Sequence, residues 1–374
     1  MFLLSERTLA KNEYEPGERH CLPLDEREYE EEYLRESIPL RYKITSYGAD
    51  YPVDGLVKRI ASGDIKIPEF QRGYVWSLTK ASSFVESLLL GLPVPGIFLS
   101  KEHDTEKLLV IDGQQRLRTL QYFYEGIFRP SGREFALRDV QEDFNGATYK
   151  TLADEDRRRL DDSILHATIV RQDEPSEDDS SIYHVFERLN TGGSLLLPQE
   201  IRSAMYHGEF NQLLRELNED KSWRTIFGDV DPRMRDQELI LRFFAMYYRG
   251  KSYSKPLREF LNAYMGANRH LRFQSAEELR DLFERTISIV LKCIGNEAFR
   301  RKRVLNVAVF DSVMVGIAKR LARNDIANLK SLQQRYSDLL ANQDFVVATE
   351  RTTTDEDTVR TRFNLATNAF ADVE

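Results

Sequence analysis

The sequence predicts an α+β N-terminal half followed by an all-helical half. Three observations carry that reading. Short apolar runs with strand character (residues 65–67, 97–99, 108–111 and 164–170) alternate with amphipathic helical patterns before residue 205. From Phe210 onward, apolar residues recur almost wholly at helical spacing. The 374 residues, 41% hydrophobic and 30% charged, suffice for one large or two ordinary domains with a proper core. The division that follows is an acidic N-terminal arm over 1–45, a mixed domain over 46–209 and a helical domain over 210–374.

The arm is charged, weakly periodic and punctuated by Pro16-Gly17, Pro23 and Pro39. Val53, Leu56, Val57 and Ile60 fall at helical spacing, and Gly63-Asp64 stops that helix. Ile65 opens a short strand leading into Phe70-Gln71-Arg72-Gly73-Tyr74-Val75-Trp76. Ser77 or Thr79 caps the next helix, whose buried face is Ala81, Phe84, Val85, Leu88 and Leu89. Gly91 then Pro93 end it. Residues 97–99 and 108–111 form a hairpin across a polar tip. A helix follows with Leu117, Leu120 and Phe123 on one side, then a polar, turn-rich stretch over 129–145 and a strand over 164–170. Residues 182–189 read as a helix ending in Asn190-Thr191-Gly192-Gly193. Pro198 opens another helix bearing Glu200, Ile201 and Met205.

In the second half the clearest helix is 275–294. Ser275 with Glu278 makes a capping box, and Leu279, Leu282, Phe283, Thr286, Ile287, Val290, Leu291 and Ile294 form one stripe. Further helices are expected over 236–248, 304–321 and 354–370.

Lys and Arg number 53 against 61 Asp and Glu, a formal charge of −8 that argues against avid, nonspecific nucleic-acid binding by the whole surface. A local basic groove remains open, since Arg157-Arg158-Arg159 and Arg300-Arg301-Lys302-Arg303 are basic clusters. Two cysteines, Cys21 and Cys293, make neither a disulfide framework nor a zinc spacing, and the six histidines show no paired metal spacing. No apolar run reaches the ~20 residues of a membrane helix, so no membrane partner and a cytoplasmic location are expected.

Chemistry is concentrated at Val110-Ile111-Asp112-Gly113-Gln114-Gln115-Arg116-Leu117. An acid, a glycine, two amides and an arginine crowd a strand-to-helix junction. Free N–H groups at a helix start, with a nearby arginine, make an anion site suited to phosphate. The competing reading is a turn in which Asp112 caps the helix and Arg116 forms a surface ion pair. Two further clusters mix amide, arginine and glycine: Gln71-Arg72-x-Tyr74-x-Trp76 and Phe186-Glu187-Arg188-Leu189-Asn190-Thr191-Gly192-Gly193.

The run Ile67-Pro68-x-Phe70-Gln71-Arg72-x-Tyr74-x-Trp76, then Ser87-Leu88-x-x-Gly91-x-Pro93-x-Pro95, then Ile111-Asp112-Gly113-Gln114-Gln115-Arg116-Leu117 closely resembles the N-terminal domain of GmrSD-type restriction endonucleases. Phe186-x-x-Leu189-Asn190-x-Gly192-Gly193 resembles the same family's next block. Asp236-x-Glu238-x-x-x-Arg242 and Arg303-x-x-Asn306-x-x-x-Phe310 resemble its C-terminal part more loosely. The resemblance implies a ParB/sulfiredoxin-like fold for the mixed domain, nucleoside triphosphate hydrolysis and a role in prokaryotic DNA defence. It places Asp112, Gln114, Gln115 and Arg116 at the catalytic site. Gln71, Arg72, Tyr74, Gly113, Asn190, Gly192 and Gly193 would bind nucleotide, and Asp112 would hold Mg²⁺. An amide would orient the attacking water. The family often adds a C-terminal HNH-like nuclease module marked by His-x-x-Pro; the only such match here, His20-Cys21-Leu22-Pro23, lies in the arm, so DNA and a separate nuclease subunit, or no nuclease at all, are what the resemblance implies.

Two alternatives stay open at this stage. One is a ParB-like module that binds nucleotide or DNA without turnover. The other is a metal-dependent nickase using Asp112 with Glu69 or Glu187. The helical half suits self-association, DNA binding or docking of another subunit equally.

Overall fold

The computed structural model describes residues 43–68, 74–102, 105–174, 183–185, 197–301, 304–350 and 353–374. The mixed half is built on a five-stranded sheet. Its strands are β1 (Lys43–Pro52), β2 (Ile65–Lys66), β3 (Ile97–Lys101), β4 (Leu108–Asp112) and β7 (Ile164–Glu174), in the order β1-β7-β3-β4-β2. The β1–β7 and β3–β4 pairs are antiparallel, whereas β7–β3 and β2–β4 are parallel. A two-stranded ribbon, β5 (Ile127–Phe128) with β6 (Arg133–Glu134), lies beyond the sheet.

Four helices cover one face: α1 (Val53–Ala61), α2 (Leu78–Leu89), α3 (Gln114–Glu125) and α4 (Asp154–Asp162). Helix α2 forms as its sequence requires. Ser77 accepts from the Lys80 N–H as N-cap, and the expected apolar face is buried. Its end is a Schellman closure: Leu92 N–H bonds Ser87 O, Gly91 N–H bonds Leu88 O, and Gly91 takes φ +68°.

The continuous burial of β4 has a simple cause. Leu108 and Val110 pack among α1 to α4, while Leu109 and Ile111 join Val170 in a second core on the opposite face. A sheet covered on both sides reads as an unbroken apolar run rather than an alternation. The second core belongs to the helices that follow: α5 (Pro198–Met205), α6 (Glu209–Asn218), α7 (Lys221–Phe227), α8 (Arg235–Arg249), α9 (Leu257–Ala267) and α10 (Ala276–Cys293). It continues through α11 (Val307–Leu321), α12 (Leu329–Ala341), α13 (Gln343–Glu350) and α14 (Glu356–Phe370). Trp223, Phe244, Phe283 and Phe310 are buried at its centre. The protein is thus α+β at its N-terminal side and helical after it, as the periodicity predicts.

Several elements differ from the expectation. β1 starts three residues before the expected domain boundary at 46 and pairs with β7 along its whole length. It is an edge strand whose side chains are exposed or half-buried, so it offers no apolar alternation to read. Helix α4 buries only Leu160 among Asp-Glu-Asp-Arg-Arg-Arg-Leu-Asp-Asp. Helix α11 begins three residues later than expected, because Val304–Leu305 form strand β9, antiparallel to β8 (Arg300–Arg301). The arm up to residue 42 and most of the helix expected over 182–189 lie outside the described residues. Among the described residues, no helix is long and apolar enough to cross a membrane.

Candidate anion site at the end of strand β4

Strand β4 delivers Asp112 to the end of the sheet, and Gly113 turns the chain into α3. Gly113 sits at φ +99°, where L side chains are strained. A Cβ there would lie 2.4 Å from Ile97 Cγ2, so the site accepts glycine for two independent reasons. Gly113 is the N-cap of α3 and supplies no side-chain cap, so the helix start and its dipole face the turn. Asp112 does not cap the helix, contrary to the simpler reading of this turn.

Asp112 holds Arg116 instead. Arg116 Nη2 donates to Asp112 Oδ2 at 2.7 Å and to the Gly96 carbonyl at 2.9 Å. The Arg116 side chain is only 15% exposed while that of Asp112 is 53% exposed, so this is no ordinary surface pair. Arg116 Nε is buried without a partner among the described residues. A buried donor left unmade costs about 1–3 kcal/mol, which an acceptor placed there would recover.

The two amides have distinct placements. Gln114 is buried in the first turn. Gln115 turns its carbonyl oxygen to the backbone of the preceding motif, accepting from Val75 N–H at 3.0 Å and Trp76 N–H at 3.3 Å. One turn further along α3, Thr119 Oγ1 donates to Gln115 O at 2.7 Å and lies 2.6 Å from Tyr74 Oη. Tyr74 packs against Tyr122 and Phe128, with ring centroids 5.1 and 5.6 Å away. Burial, only partly offset by the Thr119 bond, pushes its hydroxyl up to about 12. The Tyr74–Trp76 end of the first motif is therefore tied to α3, directly after Gln71 and Arg72 in the chain.

Gln71, Arg72, Asn190, Gly192 and Gly193 lie outside the described residues, as do Glu69 and Glu187. Downstream of the third motif, buried Glu200 accepts from Leu197 N–H at 2.6 Å and Arg233 Nε at 3.0 Å. The described residues of the looser C-terminal matches are structural, and Arg303 lies outside the described residues. Asp236 is fully buried and accepts from Asn218, Arg224 and the Asp231 N–H at 2.9–3.0 Å. Glu238 pairs with buried Arg202, and Arg242 pairs with Asp311 at 2.7 Å. Asn306 caps α11.

Three described members of the basic clusters have protein partners. Arg157 and Arg159 pair with Asp154 and Glu155 on α4, and Arg300 donates to the Ile226 carbonyl at 2.7 Å. Two surface clefts, of about 350 and 230 Å³, lie elsewhere: one beside Tyr47, Tyr51, Arg59 and Lys107, the other beside Tyr248, Glu278 and Arg285. Among the described residues, no group of three or more His, Cys, Asp or Glu is arranged to hold a metal ion.

Residues 53–207 match the family model of the GmrSD restriction endonuclease N-terminal domain. The chain carries a GmrSD-type N-terminal domain. The match runs from the start of α1 to just beyond α5, so the GmrSD-type domain contains β2, β3, β4, β7 and the Asp112–Arg116 turn, while β1 precedes it. An uncharacterized protein of Methanocaldococcus jannaschii is 31% identical over 91 residues, which cover 18% of this chain and 16% of that relative. The chain thus spans about a sixth of that relative's length. No solved structure matches the chain.

One polar pair at the same end of the sheet belongs to none of the sequence motifs. His166 on β7 lies opposite Asp50 on β1, with Nδ1 2.8 Å from Asp50 Oδ1. The two residues stand 116 apart in the chain, and only the β1–β7 register joins them.

Proposed function

We propose that the GmrSD-type domain of this chain is a nucleoside triphosphatase serving a DNA-defence system of the restriction type, with the triphosphate bound at the Asp112–Arg116 turn. The observation that carries this reading is Arg116. Its guanidinium is nearly buried, fixed by Asp112 and the Gly96 carbonyl, and retains an unused Nε donor beside an uncapped helix start. Such a group presents a positive charge of fixed direction to phosphate oxygens, and the helix dipole adds to it.

The residues divide the work. Gly113 brings the backbone close to the phosphates, and no side chain could replace it. Arg116 stabilises charge on the transferred phosphoryl group. Gln115 and Tyr74 fix the segment that leads out of Gln71 and Arg72, which bind the nucleotide in this reading together with Asn190, Gly192 and Gly193. Mg²⁺ fits the donors present: Asp112 spends one carboxylate oxygen on Arg116 and is half exposed, enough for an ion that keeps most of its ligands as water and phosphate. The ion would neutralise phosphate charge there. The ParB-like ancestry implied by the motifs, DNA as the sensed ligand and a separate nuclease subunit complete the proposal.

Purified chain with Mg²⁺ is expected to release phosphate from at least one nucleoside triphosphate. Arg116→Ala is expected to lower kcat by ~10²–10³, the usual loss on removing one preorganised donor to a developing charge. Phosphate release at the full rate by the variant contradicts the mechanism. Nucleotide-dependent stabilisation without release would show a binding module instead.

A further inference from the structure

We propose that the cleft at the start of β4 takes one unstacked nucleotide of single-stranded DNA, a contact that rests on the DNA-sensing part of the reading above and not on turnover. The cleft, of about 350 Å³, is lined by Tyr47 and Tyr51 of β1, Arg59 in the last turn of α1, and Lys101 and Lys107 on either side of the β3–β4 tip. It stands on the α1–α4 face of the sheet. Tyr47 lies opposite Ile169 in the β1–β7 register, and Ile169 lies beside Leu99. Lys101, two residues further along β3, lies opposite Leu108. Leu99, Leu108 and Ile169 all belong to the core beneath those helices. Strand β4 runs from this cleft to Asp112, roughly 13 Å away at about 3.3 Å per residue. The cleft and the triphosphate turn therefore sit at opposite ends of the sheet.

Aromatic faces and spare positive charge meet here. Tyr47 is 43% exposed, a large ring standing open on a strand. Four residues on, Tyr51 shares its side of β1, packs against the core and carries the Arg59 guanidinium over its ring at 5.6 Å. The acids of the cleft are engaged: Glu106 pairs with Lys101, and Asp64 accepts from Ser62 Oγ at 2.8 Å. Among the described residues, no carboxylate pairs with Arg59 or Lys107.

A base stacked on a tyrosine, with its phosphate against a lysine or arginine, is how proteins hold single strands without reading their sequence. Such a base must be free of its neighbours, and a cleft of this volume admits one nucleotide rather than a duplex. β1 has β7 as its one neighbour, so no further described strand walls off the Tyr47 side, and the rest of the strand can run on past it.

The test is fluorescence anisotropy of a labelled oligothymidylate titrated with the full chain at several salt concentrations. The wild type is expected to bind the single strand more tightly than a duplex or thymidine monophosphate, with affinity falling as salt rises. Tyr47→Ala should weaken binding by about 5–150-fold, the loss for one stacked base, while Tyr47→Phe keeps it. Lys107→Gln should lower the salt slope by about 0.7, one phosphate contact. Both residues lie outside the triphosphate turn, so phosphate release measured without oligonucleotide should match the wild type in both variants. A wild type that binds no single strand, or binds the duplex or the monophosphate as tightly, overturns this inference and leaves triphosphate turnover to its own assay. Unchanged affinity in Tyr47→Ala together with an unchanged slope in Lys107→Gln overturns it as well. Strand binding as described with no phosphate release from any triphosphate overturns the triphosphatase reading alone.

Discussion

The two halves of the chain treat charge in opposite ways. In the helical core, Arg202–Glu238 and Arg242–Asp311 are buried pairs in which each acid meets an arginine. At the sheet's end, Asp112, Asp50 and His166 are half exposed or more, and Arg116 keeps a donor without a partner among the described residues. A buried pair that is complete has nothing left to offer a ligand, and its value lies in fixing how helices pack. A fixed charge with spare valence beside solvent is what a binding site requires. The same residue types therefore serve packing in those two pairs and stand open to solvent at the sheet's end.

Three substitutions would break or sharpen that contrast. The largest effect is expected from Arg242→Ala, which leaves Asp311 charged and buried with its main partner gone. Removing one member of a buried pair costs roughly 3–5 kcal/mol, read as a lower urea midpoint. An unchanged midpoint would mean that the pair does not organise the helical core. Gly113→Ala forces an L residue to φ +99° and drives its Cβ onto Ile97. Left-handed strain and overpacking together give about 2–4 kcal/mol, and this loss should accompany loss of any nucleotide effect. A variant with wild-type stability would show that the turn is not constrained as described.

The smallest effect concerns pH. Tyr74 ionises at about 12 in the fold against an ordinary 10.0, because burial disfavours the phenolate. Between those values the folded chain keeps a proton that the unfolded chain releases. Stability is therefore undiminished below pH 10 and falls as pH rises toward 12. Tyr149, also raised to about 12 by burial and the Asp161 carboxylate, adds to the same fall. Tyr74→Phe should flatten it, as followed by thermal unfolding between pH 9 and 11. An identical slope in the variant would contradict the buried setting of the hydroxyl.

Much of this was legible in the sequence wherever burial on one side left a period. The α2 face, the α10 stripe with its Ser275 cap and the β3–β4 hairpin all follow from spacing and punctuation. Strand β1 and helix α4 were not legible, because an exposed edge strand and a helix burying one leucine have no period to detect. In the site, the density of polar groups pointed to Asp112–Arg116, but their roles needed three dimensions. The sequence could not show that Gln115 would hold the Tyr74 segment, that Gly113 rather than Asp112 would cap α3, or that the Gly96 carbonyl would accept from Arg116. Asp236, Glu238 and Arg242 show the converse. Their spacing suggests a motif, while their burial shows a scaffold.

The central claim is that triphosphate binds at the turn between β4 and α3. Hydrogen–deuterium exchange with and without a non-hydrolysable nucleoside triphosphate and Mg²⁺ tests it most directly. The account predicts nucleotide-dependent protection of the peptide over residues 108–120, lost in Arg116→Ala while the helical half exchanges as before. Protection confined to other peptides, or an equal response in the variant, would contradict it.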